Sequence, residues 1–179
     1  MRSMPSYCAF LRAVNLGAKR RFPMDHIRRC VESVGFTGVE THINTGNVRF
    51  DSTMRSRARI EERLEQAFAA DRGFEVPTIV YSCAEVAQVA ADVEELHDVS
   101  LERHYVQLLK DEPSPETVTA LEGLSVGAHR VVVRHRAAHL LLGEGYEAGR
   151  VDPLRAERLL SVTTNRSHTV IRAIADKWC

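Results

Sequence analysis

Between Tyr7 and Tyr81 the chain switches between two periodicities in a fixed order, and that order restricts the fold more than any single motif. YCAFLRAV (7–14) is an apolar run of strand length, followed by the loop NLGAKRRF. Pro23 suits a first helical position, Ile27, Val31 and Val34 recur at helical spacing, and Gly35 ends the helix. GVETHIN and NVRF then read as two strands joined through Thr45-Gly46. A second helix is expected from Ser52 to about Arg72, with Ile60, Leu64, Ala67 and Phe68 on one stripe and Gly73 as its stop. VPTIVY (76–81) closes the series as a strand. Strand, helix, strand, strand, helix, strand is the ferredoxin-like order.

The second half nearly repeats it. A helix over about 83–93 and an acidic loop lead to the strand HYVQLLK (104–110) and the short helix PSPETVTALEGL. HRVVVRH and AAHLLLG form a hairpin, and Leu154–Leu160 and Ser167–Lys177 read as closing helices. The expected fold class is α+β, with two ferredoxin-like lobes: βαββαβ, then a less complete βαββα repeat with closing helices. The expected boundaries are 1–81 for the first lobe, 82–102 for the connecting helix and acidic loop, and 103–179 for the second lobe. This division rests on element order, since no repeat is visible at the level of residue identity.

Composition limits the partners. The 179 residues carry no net charge, so no overall field draws the chain to nucleic acid or anionic membranes. Residues 1–81 hold 13 Lys/Arg against 9 Asp/Glu, and the remainder holds the opposite excess, 11 against 15. No segment approaches the run of about 20 apolar residues that a membrane helix needs. MRSMPSYCAF lacks the charged and then apolar stretches of a secretory signal. Cys8, Cys30, Cys83 and Cys179 are widely spaced without a CxxC pair, which argues against a zinc knuckle or a redox motif. A cytoplasmic location is expected.

A two-residue turn at Thr45-Gly46 would set His42 opposite Arg49 and Asn44 opposite Asn47. Val39, Ile43, Val48 and Phe50 then face the helices, and Glu40, His42, Asn44, Asn47 and Arg49 share an open sheet face. Gly46 permits a positive φ, and consecutive backbone N–H groups in such a turn can converge on an anion. Thr-Gly is also ordinary turn chemistry, and an exposed face is polar in any case.

CAFLRAVNLGAKRRFPM (8–24), THINTGNVRF (41–50) and LLSVTTNRSHTVIRAI (159–174) together resemble the bacterial family called domain of unknown function 1697. The resemblance implies an α+β protein of two ferredoxin-like subdomains, and it implies no activity. Matching positions are Arg12, Asn15 and Gly17, then Gly46 and Asn47, then Thr163, Thr164, Thr169 and Val170. Ala13 and Ala18 stand where the family has Gly, His42 where it has Tyr, Asn44 where it has Gln, and Thr45 where it has Ser. Asn165, Arg166, Ser167 and His168 replace Arg, Asn, Trp and Asn.

Two histidines thus stand at positions where the family uses groups that do not titrate near neutrality. His42 and His168 are the acid–base candidates, and Arg12, Arg49 and Arg166 the holders of negative charge. Asn15, Asn44, Thr45, Gly46, Asn47 and Thr163 complete the expected ligand-binding set. The leading expectation is a small anionic or carbonyl-bearing molecule bound at the open face between the lobes, with no reaction named. The rival is a non-catalytic homodimerisation or protein-interaction module.

No cofactor and no metal site are expected. His129 and His135 would lie roughly 20 Å apart on a strand, and His135 with His139 lacks a third ligand, so strand-surface histidines are expected. The glycines of 143–149 have the wrong interval for a dinucleotide fingerprint, and neither a phosphate loop nor a GxSxG elbow occurs. RNA binding ranks third, because the hairpin's one aromatic, Phe50, falls on the core side and leaves no stacking platform.

Overall fold

The computed structural model describes residues 4–179. The chain is an α+β protein whose described residues form two four-stranded antiparallel sheets and five α-helices. It divides into two compact units, one of residues up to Val86 together with Trp178–Cys179, the other Ala87–Lys177.

In the first unit, β1 (Ser6–Leu11), α1 (Met24–Ser33), β2 (Thr37–His42), β3 (Asn47–Asp51), α2 (Arg57–Arg72) and β4 (Thr78–Ser82) follow the expected sequence of elements. The sheet order is β2-β3-β1-β4. Alternation on β1 sends Tyr7, Ala9 and Leu11 into a core with Val48 and Phe50 of β3, against Ile27 and Val31 of α1 and Ile60, Leu64 and Phe68 of α2. Phe50 stacks on Phe36 at 4.8 Å, and Phe22 meets Phe68 edge-on at 5.1 Å. Cys8, Phe10 and Tyr81 on the opposite sheet face are also buried, so that face is not open along β1 and β4.

The second helix begins five residues later than the composition suggests. Ser52 Oγ accepts from Met54 N in a local turn, and Ser56 caps α2 by accepting from Arg59 N. Gly73, at φ 73°, ends α2 as expected, its N–H returning to Ala69 O at 2.8 Å. Glu61 is buried on α2 because its carboxylate accepts from Val80 N, and Glu65 similarly holds Thr78 N. These two bonds tie the helix to β4. Ser56→Ala should lower stability by about 1 kcal/mol, the usual loss for an N-cap hydroxyl. A denaturation midpoint equal to that of the parent chain would show that the cap contributes nothing.

α3 (Cys83–Leu96) begins in the first unit, and the division falls inside it. The second unit continues with β5 (Arg103–Leu109), α4 (Pro115–Glu122), β6 (His129–Arg134), β7 (Ala137–Leu142), β8 (Thr163–Ser167) and α5 (His168–Trp178). Its sheet order is β6-β7-β5-β8, the arrangement of the first sheet repeated four strands later.

Two expectations change here. The helix expected over 154–160 is a single 3-10 turn, Ala156–Leu159. The repeat is not missing its last strand, because TTNRS forms β8 beside β5. Its polarity hid it, yet Thr163 is buried with Oγ1 donating to Leu108 O at 2.9 Å and Gln107 Oε1 at 3.1 Å. A hydroxyl so satisfied is inexpensive to bury.

Candidate functional site

The hairpin between β2 and β3 turns through four residues, 43–46, rather than two. Its register pairs His42 with Asn47 and Glu40 with Arg49, so His42 does not face Arg49. The displacement is two residues, which preserves the faces of His42, Glu40, Asn47 and Arg49 while removing Ile43 and Asn44 from the strand. Ile43 takes φ 51° and is 39% exposed, contrary to its expected place in the core.

Local chemistry explains the wider loop. Asn47, 1% exposed, donates from Nδ2 to His42 O at 2.9 Å and to Thr45 Oγ1 at 3.0 Å, closing the loop from inside. Gly46 O accepts from Leu11 N at 2.8 Å, extending the pairing beyond β1. At φ 79°, a Cβ on Gly46 would stand 2.8 Å from both Leu11 Cβ and Val14 Cγ2. Glycine is required there by backbone conformation and by close approach together.

The loop after β1 is fastened to this hairpin by Asn15. Its side chain accepts from Phe22 N at 2.8 Å and donates to Phe22 O at 3.1 Å and Asn44 O at 2.6 Å. Asn15 and Ala13 both sit at φ 55°, so the loop doubles back sharply. Arg20 holds its base by donating to Ala13 O and Glu75 O, each at 2.7 Å. Asn15, Gly17, Ala18, Arg21, Pro23 and Asn44 consequently line an open pocket of about 460 Å³. Arg21 is exposed, and the lining contains no acidic residue. The first two sequence blocks therefore meet around one cavity, at the loop end of the sheet.

The remaining first-unit residues have other surroundings. Arg12 is half-buried, with its N–H donating to Pro77 O. Arg49 is held by Gly38 O, Asp51 and Ser6 Oγ. The His42 ring meets Trp178 edge-on at 6.0 Å, and Trp178 Nε1 donates to Glu40.

Thr163, Arg166 and His168 lie in the second unit. Arg166 is buried on β8 and donates to Thr164 Oγ1 and Asn165 O. Burial lowers its pKa to about 10. His168 opens α5 within a group of four imidazoles that sequence spacing did not reveal. It stacks on His97 at 4.2 Å and lies 5.6 Å from His104, whose Nε2 is 3.0 Å from His139 Nδ1. His104 and His139 are fully buried, so His139 is not a strand-surface residue. Burial pushes His104 down to about 3 and His139 to about 4, and it lowers His168 as well. His104 and His139 are therefore neutral at pH 7.

Sequence reasoning missed two further features. Arg21 stood only as one residue of the loop NLGAKRRF, and its nearness to Asn15 in that loop was the available signal. Cys8, Cys83 and Cys179 are distant in sequence, but their sulfur atoms lie within 4.8 Å of one another. No spacing rule could have found them.

Residues 4–139 match the family model described as Protein of unknown function (DUF1697). A solved structure of the conserved bacterial protein SP0830 from Streptococcus pneumoniae is similar to the chain, with a TM-score of 0.77 at 20% identity, covering 98% of both chains. No curated protein matches the chain.

Proposed function

The chain belongs to the DUF1697 family, and from that premise we propose that it binds a small anionic or carbonyl-bearing molecule in the pocket between the β1 loop and the β2–β3 hairpin. We also infer that both sheets, with their first strand between their third and fourth, are ferredoxin-like in topology. The supporting observation is convergence: Asn15 and Asn44, from separate sequence blocks, border one cavity together with an exposed arginine. In this reading Arg21 supplies the charge and the Asn44 side chain orients the ligand. Asn15, whose amide is already engaged by backbone, holds the walls in place.

The cavity volume falls within the range typical of small-molecule sites. Leu16, 71% exposed, and Ile43 provide apolar surface on the same two loops. A ligand with an acidic or carbonyl head and a short apolar body fits this arrangement. Neither His42 nor His168 is among the residues lining this pocket, so the reading is one of binding and assigns them no proton transfer there. The exposed Leu16, Met24 and Ile43 support the second reading, a surface for a protein partner or another copy of this chain.

Calorimetric titration against a panel of small carboxylates, phosphates and keto acids tests the first reading. Arg21→Ala should weaken the best ligand roughly 10- to 100-fold, the usual effect of removing a charged hydrogen bond. Equal affinity in both proteins, or no binding across the panel, would remove this assignment. Self-association that is lost in Leu16→Asp would favour the second.

A further inference from the structure

We propose that Cys8, Cys83 and Cys179 form a three-thiolate site for a soft d10 cation, and that monovalent copper is the ion it fits. Cys8 projects from the middle of β1 and is fully buried, Cys83 opens α3, and Cys179 is exposed. The three sulfurs lie within 4.8 Å of one another, with Cys8 Sγ and Cys179 Sγ 3.9 Å apart. Metal–thiolate bonds of about 2.3 Å around a common ion require sulfur–sulfur separations of roughly 3.8–4.0 Å. One pair already meets this distance, and the others need a closure of under about 1 Å.

The ligand count selects the ion. Structural zinc sites are almost always closed by four protein ligands. Among the described residues, no fourth His, Cys, Asp or Glu joins the three thiols. Three soft sulfurs alone suit monovalent copper, which favours thiolates and accepts low coordination.

Thiolate, not thiol, is the metal ligand, so a bound cation must displace the protons of the three thiols. On binding, three S–H bonds break heterolytically and three Cu–S bonds form. The protons pass to buffer, no atom changes oxidation state, and uptake strengthens as pH rises. Cys179 gives the ion access from solvent.

Anaerobic titration of the fully reduced chain with Cu(I), against a chromophoric copper chelator, tests the proposal. The expected result is one ion per chain, a sulfur-to-copper charge-transfer band in the near ultraviolet, and an X-ray absorption spectrum with three sulfur neighbours at a single distance. Cys83→Ser and Cys179→Ser should each weaken binding at least 100-fold, while Cys30→Ser, outside the group, retains full affinity. Cys179 is exposed, so its variant separates ligand loss from misfolding, and circular dichroism checks the fold of each protein. Equal binding by the Cys83/Cys179 double variant would overturn the proposal. So would a thiol count showing a disulfide within the group in the reduced preparation, or a preference for Zn(II) in direct competition.

Discussion

Gly46→Val is expected to destabilise the first unit by roughly 2–5 kcal/mol, combining left-handed backbone strain of about 1–2 with overpacking of about 1–3. The backbone at φ 79° disfavours any L side chain, and a β-branched one most of all. The added Cβ would also press against Leu11 and Val14 at 2.8 Å, and both are buried without room to withdraw. Relief requires the 43–46 loop to lift away, which breaks the Leu11 N to Gly46 O bond and moves Asn44 from the pocket wall. Urea denaturation should register the loss as a lower midpoint at unchanged slope. The variant's ligand affinity should fall even where it is fully folded. An unaltered midpoint would mean that the loop relaxes freely and does not define the pocket.

Acidification should destabilise the second unit on the order of 3–5 kcal/mol between pH 7 and pH 4.5, if His104 and His139 each stay neutral while folded. Both have folded pKa values well below the ordinary 6.5, at about 3 and about 4, with burial as the first cause. In the unfolded chain they take up protons as pH falls below 6.5, whereas the folded chain refuses them. Their contribution is therefore complete above pH 6.5 and declines below it until the folded values of about 4 for His139 and about 3 for His104 are reached.

The surrounding charges do not reverse this direction. His97 and His168 add positive charge when protonated, Arg134 opposes protonation of His139, and Asp92 only partly offsets it. Arg172 and Glu94 act on the neighbouring His168 in opposite senses. A His104→Gln/His139→Gln double variant should flatten the stability profile over this interval, leaving the acid loss due to carboxylates at lower pH. An unchanged profile in the double variant would assign the whole effect to other groups.

Element order was largely legible because the signals are local. Alternation in CAFL, helical spacing in Ile60, Leu64 and Phe68, and the stop at Gly73 each act within a few residues. Alternation also placed Phe50 in the core and Arg49 on the other face correctly. Errors arose where distant contacts overrode local preference. Thr45-Gly46 reads as a two-residue turn, but bonds from Asn47 and Leu11 hold a four-residue loop. TTNRS reads as polar connection, but β5 supplies partners for its backbone and for Thr163.

The candidate residues divide in the same way. Asn15, Asn44, Gly46 and Asn47 could be named from two short blocks, since turn geometry makes specific demands of residue type. Arg21 gained its place at the pocket only when Asn15 folded the loop back upon Phe22 and Asn44. The four imidazoles and the three thiols are separated by up to 71 and 171 positions respectively, far outside any local period. Periodicity and turn chemistry determine which strands and helices form. Strand pairing decides which titratable groups share a small volume, and there burial and mutual distance, rather than spacing along the chain, control their chemistry.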